Sequence, residues 1–213
     1  MKGQYLQWYF NLLLPQNILM IKKTNNTYPF NGLIENRWST RAFKPVKVEQ
    51  EKINSILEAA TWAPSAFNEQ PWRFIVGKKG SDTYNKIFET LVEWNQKWAI
   101  NADVLVLNIA KRNFTHNNKP NATYEYDLGQ AVAFMALEVV NQGLFGHQMT
   151  GLDPKKAAEL LNIDDDFKVV SVIAIGYYGD SEKLPEDMVS SEKDARSRKS
   201  FDSLVFEKSF NEK

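Results

Sequence analysis

Cysteine is absent from this chain of 213 residues. That removes disulfides, thiolate metal sites, CxxC redox chemistry and a cysteine nucleophile. Histidine is nearly absent: His116 and His147 are the only two. They are too few for a His-based zinc site, so no metal is expected, and any redox chemistry must come from a bound organic cofactor. Net charge is missing as well, since 26 basic residues balance 26 acidic ones. Such a chain has no long-range field to draw nucleic acid or an anionic membrane. No GxGxxG follows an apolar run and no GxxxxGK[ST] occurs, so Rossmann and P-loop folds lose their main support. Long hydrophobic runs are lacking too. Residues 5–21 are apolar but interrupted by Gln, Asn and Pro15, too short and broken to span a bilayer. They show neither the h-region nor the cleavage site of a signal peptide. A cytoplasmic, reducing location is therefore expected. Met20 followed by Ile-Lys-Lys offers a second start, which leaves residues 1–19 as either native or an upstream translation artefact.

What is present is one domain's worth of chain, rich in aromatics, with six Trp and thirteen Phe. A first helix is expected to begin in Leu33–Trp38. Ile53, Ile56, Leu57 and Ala60 recur at helical spacing over 49–63, and Pro64 ends that helix. Arg73–Val76 reads as a short strand. Ser81 is a candidate N-cap for one helix running to about Ala99. The apolar run VLVLNIA within 102–110 reads as a strand buried on both faces. Residues 111–123 form a long polar loop. Tyr126–Gln142 is apolar nearly all round, as a core helix would be. Asp153-Pro154 caps a short helix to about Leu161, and KVVSVIAIG at 168–176 is a second buried strand. From Asp180 the chain is polar, with too little apolar surface to fold alone. The order indicates a mixed α and β layer rather than a βαβ repeat.

Four segments carry possible chemistry. Arg37 and Arg41 stand four apart, on one face of an expected helical turn, with Ser39 between them. Their guanidinium groups can cradle a phosphate, although arginine pairs are also common on solvated helix faces. Arg196, Arg198 and Lys199 repeat that cationic pattern 160 residues later, where a solvated tail is the ordinary reading. In the stretch Pro64-Ser65-Ala66-Phe67-Asn68-Glu69-Gln70-Pro71-Trp72, the Asn68 and Gln70 amides can read a heterocycle's carbonyls and N–H groups; simple turn chemistry explains them equally. Between Gly143 and Asp153, Gly151 permits close backbone approach to a ligand, and His147 is either a packed residue or a catalytic one.

Taken together and in order, these segments resemble the nitroreductase family of flavin enzymes. Arg37-Trp38-Ser39-Thr40-Arg41-Ala42-Phe43 is similar to the family's R-x-S-x-R-x-F opening. Ala63 to Trp72 is similar to its A-P-S-x-x-N-x-Q-P-W loop, the most specific of the four. Asp127-Leu128-Gly129-Gln130-Ala131, with Gly143 to Asp153, resembles its long helix and following glycine turn. Ala195 to Lys199 resembles its terminal R-x-R-K. The match runs over about residues 33–205. Trp38 stands where arginine is frequent, and Thr150 where many members have an acidic residue.

The resemblance implies an α+β fold: a mainly antiparallel sheet flanked by helices, with a long central helix at a homodimer interface. Residues 1–30 would be an N-terminal extension and 31–213 the FMN-binding domain, its tail packed on the partner subunit. FMN would lie at the interface. Arg37, Trp38, Ser39, Arg41, Arg196 and Arg198 would hold its phosphate and ribityl chain. Pro64, Ser65, Ala66 and Asn68 would reach it from the other subunit, with Asn95 near its pyrimidine edge. Thr150 and Gly151 would direct a backbone N–H at N5. No side chain need act as acid, base or nucleophile. The implied activity is ping-pong hydride transfer from NADH or NADPH, through flavin N5, to a nitroaromatic or quinone. Dehalogenation, azoline oxidation and flavin binding without turnover are the alternatives on the same scaffold. Trp94, Phe114 and Tyr124 are candidates for stacking on a planar acceptor, and Trp98 a core residue.

Overall fold

Alternation along one strand organises the core. In β2 (Val104–Lys111), Leu105, Leu107 and Ile109 face one apolar cluster, while Val104, Val106 and Ala110 face another. A strand with both faces covered must be apolar on both, which is why this segment shows no polar–apolar alternation. A computed structural model describes residue 22 and residues 24–210; the question about residues 1–19 lies outside them. β1 (Trp72–Lys78), β2, β3 (Phe145–Met149) and β4 (Phe167–Gly176) pair antiparallel in the order β1-β2-β4-β3. The α+β class and antiparallel sheet are as the sequence implied.

Seven α-helices lie among the described residues: α1 (Gly32–Asn36), α2 (Gln50–Thr61), α3 (Asp82–Thr90), α4 (Glu93–Ala99), α5 (Tyr124–Asn141), α6 (Pro154–Leu161) and α7 (Glu186–Lys193). Helices α2 and α5 cover one face through Ile53, Ile56, Ala60, Leu128, Met135 and Val139. Helices α3, α4, α6 and α7 cover the other through Ile87, Trp98, Ala157 and Met188. Fully burying the larger of these, the Ile, Leu, Val and Met side chains, contributes roughly 1.5–3 kcal/mol each. The expected caps are present: Ser81 accepts from Tyr84 N, and Asp153 accepts from Lys155 N and Lys156 N.

Several expectations need correcting. The helix drawn from Ser81 to Ala99 is two helices, broken at Leu91 and Val92. Leu91 forms a β-bridge with Leu152, and Val92 N donates to Gly151 O at 3.0 Å. Tertiary pairing overrides helix propensity there. The first helix stops at Asn36, because Arg37 is already extended. β3 was read as a segment between glycines; five residues at a sheet edge carry too little pattern to declare a strand. The polar tail is not wholly unpacked, since α7 buries Met188 and Glu192 against its own chain. Helix α5 is not buried all round either. Tyr126 is 71% exposed and Phe134 42% exposed. Gly129 and Ala133 lie between them on an open stripe.

Gly77 in β1 is where α3 crosses closest: a Cβ there would stand 2.6 Å from Tyr84 Cα, which is backbone and cannot step aside. Gly77→Ala is expected to lower stability by about 1–3 kcal/mol through overpacking, read as a lower urea midpoint with unchanged m-value.

Candidate functional site

Residues 37–42 belong to no helix or strand and run along the β3 side of the sheet. Trp38 packs edge-on against Phe145 and Tyr178 at ring distances of 6.1 and 5.7 Å. Thr40 O lies 2.9 Å from His147 Nδ1, in the middle of β3. The segment is further crossed by the C-terminal chain. Arg196 donates to the carbonyls of Glu35 and of Arg37, the latter at 2.9 Å. Arg37, Arg196 and Arg198 therefore gather at one place. Burial, and then the positive charges of Arg196 and Arg198, push the Arg37 guanidinium below its usual range; Arg196 is lowered by burial and by Arg198.

No ion pair engages Arg37, Arg41, Arg196 or Arg198 among the described residues. Arg37 Nη1 reaches Ser39 Oγ at 3.4 Å. Arg41 Nε is buried without a partner. A like-charge cluster with an orphaned buried donor is a cradle suited to a multiply charged anion. The sequence-predicted residues do not share one role within it. The Trp38 ring is 6% exposed and belongs to packing, so only its backbone borders the cradle. Arg196 commits two nitrogens to backbone carbonyls and works mainly as a clamp. Arg37, Ser39, Arg41 and Arg198 keep donor capacity.

At the other end of β3, Thr150 and Gly151 leave the sheet. Gly151 O accepts from Val92 N and from Asn95 Nδ2, each at 3.0 Å. A Cβ on Gly151 would stand 2.6 Å from Asn95 Nδ2 and 3.0 Å from Val92 Cγ2, so only glycine lets Asn95 take this position. Neither the Thr150 nor the Gly151 N–H finds an acceptor among the described residues. Asn95 thus holds the glycine turn, and the turn presents two free donors.

The loop 64–71 is elsewhere. It leads into β1, the opposite edge of the sheet, with Pro71 O accepting from Lys111 N at 2.8 Å. Phe67, Asn68 and Gln70 all have positive φ (53°, 55° and 51°), a region costing a non-glycine residue roughly 1–2 kcal/mol. The loop is tied down by Ala66 N donating to the buried Asp127 carboxylate at 3.2 Å, by Gln70 N donating to Ser65 Oγ at 3.0 Å, and by Gln130 Nε2 donating to Pro64 O at 3.4 Å. Strain held by surrounding bonds is typical of binding loops. Pro64 and Asn68 are exposed, Ser65 and Ala66 partly so. No hydrogen bond, ion pair or ring contact among the described residues joins this loop to the arginine cluster.

Sequence reasoning missed a group beside the loop. Glu69 accepts from Thr115 N at 2.8 Å and lies 3.8 Å from His116 Nδ1. Phe67, 86% exposed, meets Phe114 at 5.7 Å, and Phe114 meets His116 at 5.4 Å. The long polar loop is thereby docked on the tight one. Of the stacking candidates, Phe114 belongs to this group, and Tyr124 is half-buried at the start of α5. Trp94 is exposed on α4, while Trp98 is fully buried. Asp127 lies in the helix motif with no role legible from the sequence, and its bond to Ala66 N gives it one.

The fold defines a class, and comparison with known proteins names it. A profile of the Nitroreductase family matches residues 34–97. A protein of Archaeoglobus fulgidus named "Putative NADH dehydrogenase/NAD(P)H nitroreductase" is 30% identical over 159 residues, covering 72% of this chain and 88% of the relative. The iodotyrosine deiodinase of Thermotoga neapolitana is 25% identical over 173 residues, 74% of this chain and 93% of that protein. A crystal structure described as an oxidoreductase containing FMN superposes with a TM-score of 0.82 at 37% identity, covering 89% of this chain and 96% of that one. The chain belongs to the nitroreductase family.

His147 is a packed residue. Its ring lies 4.4 Å from that of Trp98. A carbonyl can only accept, so Nδ1 carries the proton that Thr40 O receives. Burial chiefly, with Arg41 and Arg37 adding to it against the Thr40 carbonyl, pushes its pKa down to about 4. The unfolded chain therefore binds a proton between pH 6.5 and 4 that the folded chain refuses. Stability is full above pH 6.5 and falls through that window, by up to about 3 kcal/mol. His147→Gln is expected to flatten this part of the stability–pH profile, measured by denaturant unfolding; an unchanged slope would assign the loss to other groups.

Proposed function

We propose that this protein is an FMN-dependent NAD(P)H oxidoreductase that acts as a homodimer. The observation that carries this reading is the unpaired cationic cradle on the β3 side of the same protein whose strained loop lies at the β1 edge. The residues present fit FMN. A phosphate dianion would relieve the mutual repulsion of Arg37, Arg196 and Arg198 and give Arg41 a partner. The free N–H groups of Thr150 and Gly151 are suited to a flavin ring nitrogen.

FMN held by Arg37, Ser39, Arg41 and Arg198 would supply two-electron chemistry between NADH or NADPH and an electron-poor acceptor such as a nitroaromatic or quinone, in a ping-pong sequence. The chain's own residues bind and orient. Arg37, Ser39, Arg41 and Arg198 hold the phosphate end by charge-assisted hydrogen bonds. Thr150 and Gly151 offer fixed backbone donors, and Asn95 keeps their turn in place; donors set before reaction cost no reorganisation during it. The Pro64, Ser65, Ala66 and Asn68 loop closes the site from the partner subunit. The exposed stripe of α5, with Tyr126, Gly129, Ala133 and Phe134, supports this arrangement, because an open apolar helix face asks for cover. Residues 31–213 form the FMN-binding domain on this reading, and residues 1–30 extend it. No helix among the described residues is long and apolar enough to cross a membrane, and the lack of cysteine suits the cytoplasm.

The test is optical. Purified protein should show a flavin spectrum that NADH or NADPH bleaches without oxygen and that a nitroaromatic or quinone restores. A flavin that neither nicotinamide bleaches would sink the reductase reading in favour of binding without turnover. Reoxidation by an iodinated phenol alone would favour dehalogenation, the activity named for the Thermotoga relative. Arg198→Ala should loosen FMN about tenfold or more, since a charge-assisted bond is worth roughly 1.5–3 kcal/mol; unchanged affinity would remove Arg198 from the site.

A further inference from the structure

The sequence gives no role to Glu192, one of several acids in a polar tail. It is 2% exposed, near the end of α7. Its two carboxylate oxygens face the arginine segment. Oε1 accepts from Thr40 Oγ1, and Oε2 accepts from the backbone N–H of Arg41 at 3.0 Å. The Thr40 side chain is itself buried, and its oxygen also accepts from Ala42 N at 2.9 Å. One carboxylate therefore fixes three consecutive residues of a stretch that has no helix or ladder of its own. Four residues further along, Arg196 crosses back and donates to the carbonyls of Glu35 and Arg37. The two segments are laced together in both directions.

We infer that Glu192 is the positioning residue of the phosphate cradle, setting where Arg41 stands without touching the ligand. The inference rests on the FMN reading. A buried carboxylate is stable only when its oxygens are satisfied, and here the donors that satisfy it are the cradle's own backbone and hydroxyl. Removing it leaves Arg41 N without its acceptor and Thr40 Oγ1 with only the longer bond to Ala42 O at 3.4 Å, and frees the arginine segment to drift. Phosphate binding should suffer more than ring binding, because the flavin ring is held at the far end of β3.

The experiment compares FMN with riboflavin, which has the same ring and no phosphate, on the deflavinated full-length protein, by fluorescence quenching. Glu192→Ala is expected to loosen FMN about tenfold or more, and riboflavin far less. Glu192→Gln, whose amide oxygen can take the Arg41 N–H while its NH2 donates to Thr40, should restore most of the FMN affinity. Equal loosening of both flavins, or of neither, overturns the inference. Where Glu192→Ala fails to fold, Thr40→Val removes one of the two bonds and must show the same selective loss. Wild-type protein that takes up neither flavin defeats the FMN reading itself, and this inference with it.

Discussion

The β1-β2-β4-β3 order sets the strained loop and the arginine segment at opposite edges of one sheet. Three inter-strand spacings separate those edges, about 14 Å, and the strands between them are packed on both faces. Loop 64–71 leads into β1, and residues 37–42 lie along β3. Each half-site is held firmly by its own neighbours, and each keeps donors or exposed groups that its own chain does not use. This separation is the physical ground for assigning one ligand to two chains.

The two half-sites are held by different means. The loop has left-handed residues at Phe67, Asn68 and Gln70, an arrangement that would relax if Asp127, Gln130 and Ser65 did not hold its backbone. The arginine segment has no helix or ladder of its own and is bonded instead by Glu192, to Arg41 N, and by Arg196, to Arg37 O. Between them, His147 shows what the interior of the β3 side demands. Its imidazole stays neutral because burial and two arginines oppose a further positive charge. Beside a cluster of arginines a protonated histidine is costly, whatever ligand the cluster holds.

Most of the architecture was legible in the sequence because it follows from periodicity and capping. The run VLVLNIA announced a doubly covered strand, and Ser81 and Asp153 announced helix starts. What failed was decided by tertiary pairing. The break at Leu91 depends on Leu152, sixty residues away, and β3 is too short and too near glycines to declare itself. In the candidate site, the four motifs marked the segments that are now proposed to form it. They could not divide the labour within them: Arg196 as clamp, Trp38 as packing, Asn95 as support for Gly151. Glu192 and the Phe67, Phe114 and His116 group carry no local signal, since their roles exist only once distant segments meet.

The central claim is that loop and cradle complete each other across two chains, and mixed dimers test it most directly. Arg41→Glu spoils the cradle; Ala66→Trp blocks the loop. Each homodimer should bind FMN poorly. A heterodimer of the two, purified with separate tags, then contains one site with both lesions and one with none. The account predicts one FMN per heterodimer, held with wild-type affinity. If loop and cradle of the same chain formed the site, every site in the heterodimer would carry a lesion, and the absence of any tightly bound FMN would contradict the account.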